Sequence, residues 1–516
     1  MTETNYDGLH FNALTDAWLP LVQKDGATVW ASPVEVLCGE KDGVDLDYPR
    51  DDFRVYARLL LSALVQALFA AKTKSELLAR LETPLSRAQV EARIKPVLTE
   101  FDMFGPTPFL QVVPPANPPH QGAAPFVFRG EDLFQPATPI RAISIPAALV
   151  MLFAEEAYAG GAGRGYGAGP GGQPGALTVI DPGSVRSAAW ANTLTLELAA
   201  TLYAPDGDRP WSNEKQDAKP RAAIGLVAGL FFQSRAAWLI AGGDGLCSFN
   251  GMRGPLVRCS PLLPKSALAS KPSAGEDLWQ HPCAPLAMNS QGIGAVRLNA
   301  ARPAWTGLAQ LLRPLSKDSK KSHPRQGPAP VLEQWKKLGL KAKSPRLLVL
   351  DFDRDKANVR RRFFEAFPLT EHLLGNADAI ERLRLLVTDA QDVRFALVRA
   401  LTSAHDDRKQ GGLALADAET AFWTASEAPF FDWLDEVVAD DGTDAGGLRI
   451  DAARQTMTGG LRRVALAMFD EHVSISEFDP RKQARVANAR RSLTRTLYPK
   501  PRPATPAPTH SPEVHP

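Results

Sequence analysis

The chain has 516 residues, of which 44% are hydrophobic and 22% are charged, and its formal net charge is only +2. A chain of this length and composition can bury a large core and is expected to divide into two or three domains. The small net charge disfavours a protein that coats nucleic acid unaided. Basic residues nevertheless gather within 317–343 and 354–362, so phosphate contacts shared with partner subunits fit better.

The sequence gives little indication of a targeting segment, a disulfide framework or a zinc site. The first residues are acidic, and no apolar segment approaches the roughly 20 residues that span a bilayer, so we expect a cytoplasmic protein without a membrane partner. The four cysteines, Cys38, Cys247, Cys259 and Cys283, are too scattered for a disulfide framework or for the close ligand pairs of a zinc site. His281, next to them, is more typical of a hydrogen-bonded core residue. We therefore predict no metal and no cofactor.

The first periodic pattern predicts a core helix over residues 51–71. Its apolar residues recur on one face, at Val55, Leu59, Leu60, Ala63, Leu64, Ala67 and Leu68. Proline around 114–125 and glycine with proline over 160–175 then predict loops around short strands and helices over 105–180. From 224 to 240, alternating aromatic, apolar and small residues favour strands, with bends at Gly225 and Gly229.

We call residues 160–175 the glycine run. This run lacks the sequence context of a nucleotide-binding loop. Pro170 and Pro174 deny the helix that a phosphate cradle requires, and no Gly-Lys-Ser/Thr follows. Two interpretations remain: a flexible linker, or a backbone that another molecule can approach closely, with Arg164 as an added donor.

Residues 346–355 predict a strand that ends in alternating acids, Asp351, Asp353 and Asp355. Carboxylates at a strand end are suitable magnesium ligands. A magnesium-dependent phosphotransferase or nuclease is therefore the enzymatic alternative. Basic residues crowd the same stretch, however, and could pair with the acids instead.

Beyond Pro368 the pattern becomes helical, with segments at about 376–404, 413–439, 447–474 and 479–498. The predicted fold class is α+β, with a large mixed α/β N-terminal domain at 1–367 followed by an all-α four-helix bundle at 368–499. Residues 500–516 are rich in proline and predict a disordered tail.

Several stretches of the sequence resemble those of a known family, which the composition alone does not indicate. In chain order they are Phe11–Leu21, Pro49–Asp52, Asp102–Phe104, Pro108–Gln111, the glycine run, Ile224–Gln233, Arg302–Thr306, Ala418–Trp423 and Ala489–Leu493. Taken together and in this order, they resemble the CasA family of type I-E Cascade across nearly the whole chain.

The resemblance implies a large subunit of a CRISPR RNA-guided surveillance complex in antiviral defence. Such a subunit recognises the protospacer-adjacent motif (PAM) in double-stranded DNA, helps open the duplex for R-loop formation, and offers a docking face to a helicase-nuclease. It cleaves no bond, so the chain would not be an enzyme and would have no catalytic residue. Its partners would be the other Cascade subunits, the CRISPR guide RNA, target DNA and the helicase-nuclease effector.

The resemblance also implies where DNA and guide RNA are contacted. The glycine loop would lie in the DNA minor groove, through Gly160, Gly161, Ala162, Gly163, Arg164 and Gly165. A hairpin would enter beneath the motif, through Arg354, Asp355, Lys356 and Ala357. Lys356 occupies the wedge position, where a glutamine is usual, and a lysine is a flexible point charge rather than a flat amide.

Two further contacts follow from the same resemblance. A lysine that reaches the motif from the groove would be Lys265 or Lys271. A loop that contacts the guide RNA end and a neighbouring subunit would include Leu133, Phe134 and Gln135.

Overall fold

A computed structural model describes most of the chain. The described residues are 9–113, 142–158, 169–170, 175–212, 223–233, 235–260, 263–264, 279–289, 292–299, 301–313, 326–339, 345–355, 358–405, 408–439, 444–473 and 479–499. They form two compact units, residues 1–380 and 381–516. The domain boundary at 367/368 stays a prediction, and the tail at 500–516 lies outside the described residues.

The first unit mixes helices and strands. Its helices are α1 (Pro33–Leu37), α2 (Asp51–Phe69), α3 (Lys74–Glu82), α4 (Arg87–Ile94), α5 (Ile145–Tyr158), α6 (Val185–Ala191), α7 (Leu196–Leu202), α8 (Leu226–Leu230), α9 (Leu308–Leu312), α10 (Pro330–Leu338) and α11 (Glu371–Gly375). Short 3-10 helices cover Leu98–Phe101 and Ala304–Gly307.

The strands of this unit are short apart from one long hairpin. They are β1 (Leu19–Val22), β2 (Thr28–Ala31), β3 (Asp45–Leu46), β4 (Ile143–Ser144), β5 (Leu177–Asp181), β6 (Arg235–Ala236), β7 (Leu239–Leu246), β8 (Arg253–Cys259), β9 (Leu263–Pro264), β10 (Leu286–Asn289), β11 (Gly292–Ala295), β12 (Arg346–Asp355) and β13 (Asn358–Pro368).

These strands form several small antiparallel sheets rather than one large sheet. The three-stranded sheets have the orders β2-β1-β3, β4-β8-β7 and β13-β12-β5, and two pairs join β10 to β11 and β6 to β9. Antiparallel sheets next to helices, instead of alternating βαβ units, are typical of the α+β class. The predicted fold class is confirmed.

The predicted core helix is α2, and its burial exceeds the prediction. Of its 19 residues 15 are buried, including polar ones, whereas the sequence predicted one apolar face. The polar residues are tolerated because each has a partner. The Arg58 guanidinium pairs with Asp45 of β3. The Gln66 amide accepts from the Leu194 N–H at 2.7 Å and donates to the Leu194 carbonyl at 3.2 Å.

Gln66→Ala is expected to lower the free energy of unfolding, because it leaves the buried N–H and C=O of Leu194 without a partner. Each unsatisfied buried group costs about 1–3 kcal/mol. Urea titration of the full-length chain measures the loss. Lys24→Ala, at an exposed turn residue, serves as the control, and an equal effect of the two substitutions would contradict the assigned role of Gln66.

The region 224–240 differs from its strand prediction, because it begins with helix α8 and only then enters β6 and β7. The carboxylate of Asp206 accepts from the amides of Val227 and Ala228, at 3.0 and 2.9 Å, and so caps α8 from 21 residues before Val227. A cap this distant in sequence cannot be read from the local pattern.

Gly225 and Gly229 are likewise not the bends that the sequence predicted. Gly225 precedes α8 and Gly229 lies inside it. A Cβ atom at Gly225 would collide with Asp206, and one at Gly229 would collide with the ring of Trp279. Both glycines therefore allow close packing around a helix.

The C-terminal part contains four long helices, α12 (Ala377–Ala404), α13 (Arg408–Val438), α14 (Asp444–His472) and α15 (Pro480–Leu497). Their number and approximate spans agree with the sequence prediction. Ion pairs join them: Arg394 of α12 pairs with Glu419 of α13, and Arg454 of α14 lies 3.0 Å from Asp389 of α12. Their arrangement as a single four-helix bundle stays a prediction.

Within the described ranges, no helix is both long and apolar enough to cross a bilayer.

Candidate nucleic-acid interface

The hairpin of β12 and β13 is the longest regular feature of the first unit's sheets. Its strands pair from Arg346 opposite Pro368 to Asp355 opposite Asn358. At about 3.4 Å per residue the paired part is about 30 Å long. Lys356 and Ala357 fall between the last paired residues and lie outside the described part of the chain, as do the side chains of Arg354 and Asp355.

A charge cluster around the buried Asp52 ties this hairpin to the start of α2. Arg362 of β13 donates to the Asp52 carboxylate at 3.2 Å and lies 3.7 Å from that of Asp51. Arg50 contacts both oxygens of Asp52, at 3.1 and 2.7 Å. We call Arg50, Asp51, Asp52 and Arg362 the Asp52 cluster.

The position of the Asp52 cluster is favourable for carboxylates. Asp51 and Asp52 form the first turn of α2, where the positive end of the helix dipole stabilises negative charge. The side chain of Asp52 is fully buried, and the guanidiniums of Arg50 and Arg362 are its partners. The hairpin is thereby fixed to the core at Arg362, four residues from the start of β13.

Neighbouring arginines in the hairpin differ in exposure. The sequence suggested that basic residues within 354–362 contact phosphates, but Arg362 is only 12% exposed and is engaged with Asp51 and Asp52. Arg361 lies on the opposite face, exposed, with its guanidinium 4.7 Å from the centre of the Phe363 ring. Of these two, Arg361 is the one that a ligand can reach.

Of the three acids in the enzymatic alternative, Asp355 has a side chain outside the described residues, and Asp351 is engaged inside the protein. Asp351 is 2% exposed. Its carboxylate accepts from the amides of Leu298 and Phe352, at 2.7 and 2.8 Å. In the described ranges no group of three or more His, Cys, Asp and Glu residues could hold a metal ion. The Asp351 carboxylate therefore attaches the segment at Leu298 to β12.

The glycine run leads into β5, which lies beside the hairpin. β5 pairs antiparallel with β12, with Leu177 opposite Leu350 and Asp181 opposite Arg346. The beginning of β5 therefore lies toward the end of β12 from which the hairpin tip projects. Five residues separate Leu350 from Asp355, so the paired hairpin extends about 17 Å beyond the start of β5.

Gly175, just before β5, fixes the end of the run. A Cβ atom there would collide with the Val296 carbonyl and lie 2.7 Å from the Ala295 side chain. The next amide, of Ala176, donates to the same Val296 carbonyl at 2.8 Å. Only glycine permits this close approach of two backbones.

The other predicted contact residues lie outside the described part of the chain. They are Gly160, Gly161, Ala162, Gly163, Arg164, Gly165, Leu133, Phe134, Gln135, Lys265 and Lys271. The structure thus places β5, which follows the glycine run, beside β12 of the hairpin, and the predicted contacts themselves stay predictions.

Cys283 and His281 contact each other inside the first unit. Cys247 and Cys283 are buried, and burial raises the pKa of the Cys283 thiol. The Cys283 amide donates to Nδ1 of His281 at 3.1 Å. Burial lowers the pKa of His281 to about 4, so its ring is neutral at pH 7. These contacts agree with the prediction that His281 is a hydrogen-bonded core residue.

The sequence did not reveal what the motif Pro49–Asp52 contacts in the fold. Pro49–Asp52 carried part of the resemblance, but its partner Arg362 is 310 residues away from Asp52. The available signal was the pair of acids at a helix start together with a surplus of arginine in β13.

Comparison with known proteins identifies the family. Residues 12–468 match the family model described as CRISPR-associated protein Cse1. The chain belongs to the Cse1 family. Cse1 is also called CasA in the name of one matching structure, from Thermus thermophilus, and the predicted resemblance to a CasA-type large subunit of type I-E Cascade is confirmed.

Solved Cse1 structures share the fold over nearly their whole length. A crystal structure of Thermus thermophilus CasA has a TM-score of 0.67 at 19% identity, covering 94% of this chain and 99% of that one. Thermobifida fusca Cse1 gives 0.69 at 17% identity, with 95% and 98% covered. A chain of a structure named CRISPR RNA-guided surveillance complex gives 0.61 at 17% identity, with 94% and 99% covered.

Asp52→Ala is expected to destabilise this Cse1 protein, because it leaves the guanidiniums of Arg50 and Arg362 without their buried counter-charge. Breaking a buried pair on one side costs about 3–5 kcal/mol. Denaturant unfolding measures the loss, and hydrogen exchange should show faster opening of β13 than of β1.

The matched control is Glu40→Ala, which removes an exposed partner of Arg87 in the same unit. An exposed ion pair contributes little to stability. Equal unfolding midpoints for Asp52→Ala and Glu40→Ala would show that the hairpin does not depend on the Asp52 cluster.

Proposed function

We propose that this Cse1 protein recognises the protospacer-adjacent motif in double-stranded DNA and helps to open the neighbouring base pairs within a type I-E Cascade complex. The observation that supports the proposal most is the antiparallel pairing of β5 with β12. It brings the end of the glycine run toward the side of the sheet from which the hairpin extends. One stretch of duplex could then meet both segments.

The glycine run suits a groove that must be read at close range. Residues 160–165 carry one long side chain, Arg164, so backbone amides can come close to base edges. The minor groove presents a degenerate pattern of donors and acceptors. A backbone reader is therefore expected to tolerate several related motifs.

A hairpin that opens DNA has to withstand the force of the base stack. Unstacking one step costs a few kcal/mol, and a freely bending hairpin would yield instead of separating the bases. The Asp52 cluster holds β13 at Arg362, and Asp351 of β12 holds a second segment through Leu298. Both attachments are close in sequence to the tip, so Lys356 would be presented from a supported base.

The partners follow from the family. We infer that the chain assembles with other Cascade subunits and the CRISPR guide RNA, the latter near Leu133, Phe134 and Gln135. Lys265 or Lys271 would add a contact to the motif. A helicase-nuclease would dock on the assembled complex, and base pairing with the guide would supply most of the free energy for opening.

Lys356→Ala and Gly161→Asp, each introduced into reconstituted Cascade, test the proposal. Gly161→Asp should weaken binding of a motif-containing duplex, because the new carboxylate would face phosphates. Lys356→Ala should reduce opening by about tenfold, as expected from losing part of the unstacking energy. Electrophoretic shifts measure binding, and 2-aminopurine fluorescence beside the motif measures opening.

Two matched substitutions control these variants. Gly207→Asp adds the same charge at an exposed glycine with open space around it, and Lys336→Ala removes an exposed lysine from α10. Size-exclusion chromatography must show intact assembly for all four. Normal binding and opening by Lys356→Ala and Gly161→Asp would refute the assignment, and magnesium-dependent cleavage abolished by Asp353→Asn would replace it with the enzymatic one.

A further inference from the structure

Helix α15 concentrates positive charge without any compensating acid of its own. Its 18 residues contain no Asp or Glu. The basic residues are Arg481, Lys482, Arg485, Arg490, Arg491 and Arg495. The buried residues Val486, Ala489, Leu493 and Leu497 form the inner side of the helix. Much of the charge therefore lies on its outer side.

The C-terminal half of this outer side borders a groove of about 990 Å³. The lining side chains that matter here are Arg490, Arg491, Thr494, Arg495 and Tyr498. They recur every three or four residues, so they share one face of the helix. We call this feature the α15 groove.

One arginine of the groove has a structural role. Arg490 donates to both carboxylate oxygens of Asp470, at 2.6 and 2.8 Å, and so joins α15 to α14. This pairing holds the pKa of Asp470 below its usual range. The bidentate geometry fixes the helix that carries the other groove residues.

Arg491 and Arg495 differ from Arg490. Both are exposed, and no carboxylate in the described ranges lies within ion-pair distance of either. Four residues of helix separate them by about 6 Å along the axis. They therefore present two adjacent positive charges to solvent.

Tyr498 adds an aromatic surface at the end of the groove. Its side chain is 44% exposed, and the Arg462 guanidinium of α14 lies 5.8 Å from the ring centre. An exposed ring beside several cations combines the two elements that unpaired nucleotides require, namely a surface for stacking and charges for the backbone.

We propose that the α15 groove binds a single-stranded nucleic acid, with Arg491 and Arg495 on adjacent phosphates and Tyr498 stacked on a base. A duplex hides its base faces, so it would use the arginines and leave the ring idle. An acidic protein segment would use the charges but has no planar group in general for Tyr498. This site lies in the second compact unit, whereas the hairpin belongs to the first.

The experiment uses the full-length chain and labelled single-stranded poly-dT, with binding followed by fluorescence anisotropy at several salt concentrations. The double variant Arg491→Ala with Arg495→Ala should weaken binding by about tenfold. It should also reduce the slope of log affinity against log salt by about 1.4, at about 0.7 per phosphate contact. Tyr498→Ala should weaken binding, whereas Tyr498→Phe should preserve it.

The control double variant is Arg399→Ala with Arg481→Ala, two exposed arginines of the same unit outside the groove lining. It should bind poly-dT as the unchanged chain does. Lys356→Ala should also leave groove binding unaltered, so a failure of the DNA-opening proposal and a failure of this one can be told apart. Poly-rU in place of poly-dT shows whether the strand is RNA or DNA.

Three results would overturn the proposal. Unchanged affinity of the double variant for poly-dT would show that Arg491 and Arg495 do not contact the strand. If the Arg491→Ala, Arg495→Ala double variant lost as much affinity for a duplex as for a single strand, and Tyr498→Ala had no effect on binding, the groove would be a general electrostatic surface. Competition by polyglutamate as strong as that by an oligonucleotide of equal charge would identify an acidic protein as the occupant.

Discussion

A single buried carboxylate, Asp52, controls how the first unit presents its hairpin. Burying an unpaired carboxylate is costly, so the buried side chain of Asp52 needs the guanidiniums of Arg50 and Arg362 beside it. Asp52 belongs to helix α2, which also contacts β3 through Arg58 and the segment at Leu194 through Gln66. Formation of α2 and docking of the hairpin are therefore expected to be one cooperative event.

The two surfaces assigned to nucleic acid use different physical means. In the proposed function the glycine run would read shape through backbone atoms with little charge, and the hairpin of β12 and β13 would act as a supported projection. The α15 groove offers side-chain charge and an aromatic ring, which would hold a strand without reading its sequence. A protein with a net charge of only +2 can carry both, because each surface is local.

Patterns that depend on neighbours in sequence were predictable, and contacts between distant segments were not. Helical spacing located α2 and the four C-terminal helices, since periodic burial acts within one element. The strand β12 followed from its apolar run. The cap of α8 by Asp206, the close packing at Gly225 and Gly229, and the pairing of Arg362 with Asp52 all join residues far apart in sequence. The family resemblance suggested site residues that physical patterns alone could not.

The hairpin contains an irregularity between Asp353 and Arg354, where the register shifts and β13 carries one extra residue, Arg360. Such a bulge bends and twists a strand locally. It separates the part held at Arg362 from the part that ends at Asp355 and Asn358. Relatives could therefore change the length or chemistry of their tips, and with them the DNA steps that they separate, while the attachment to the core stays the same.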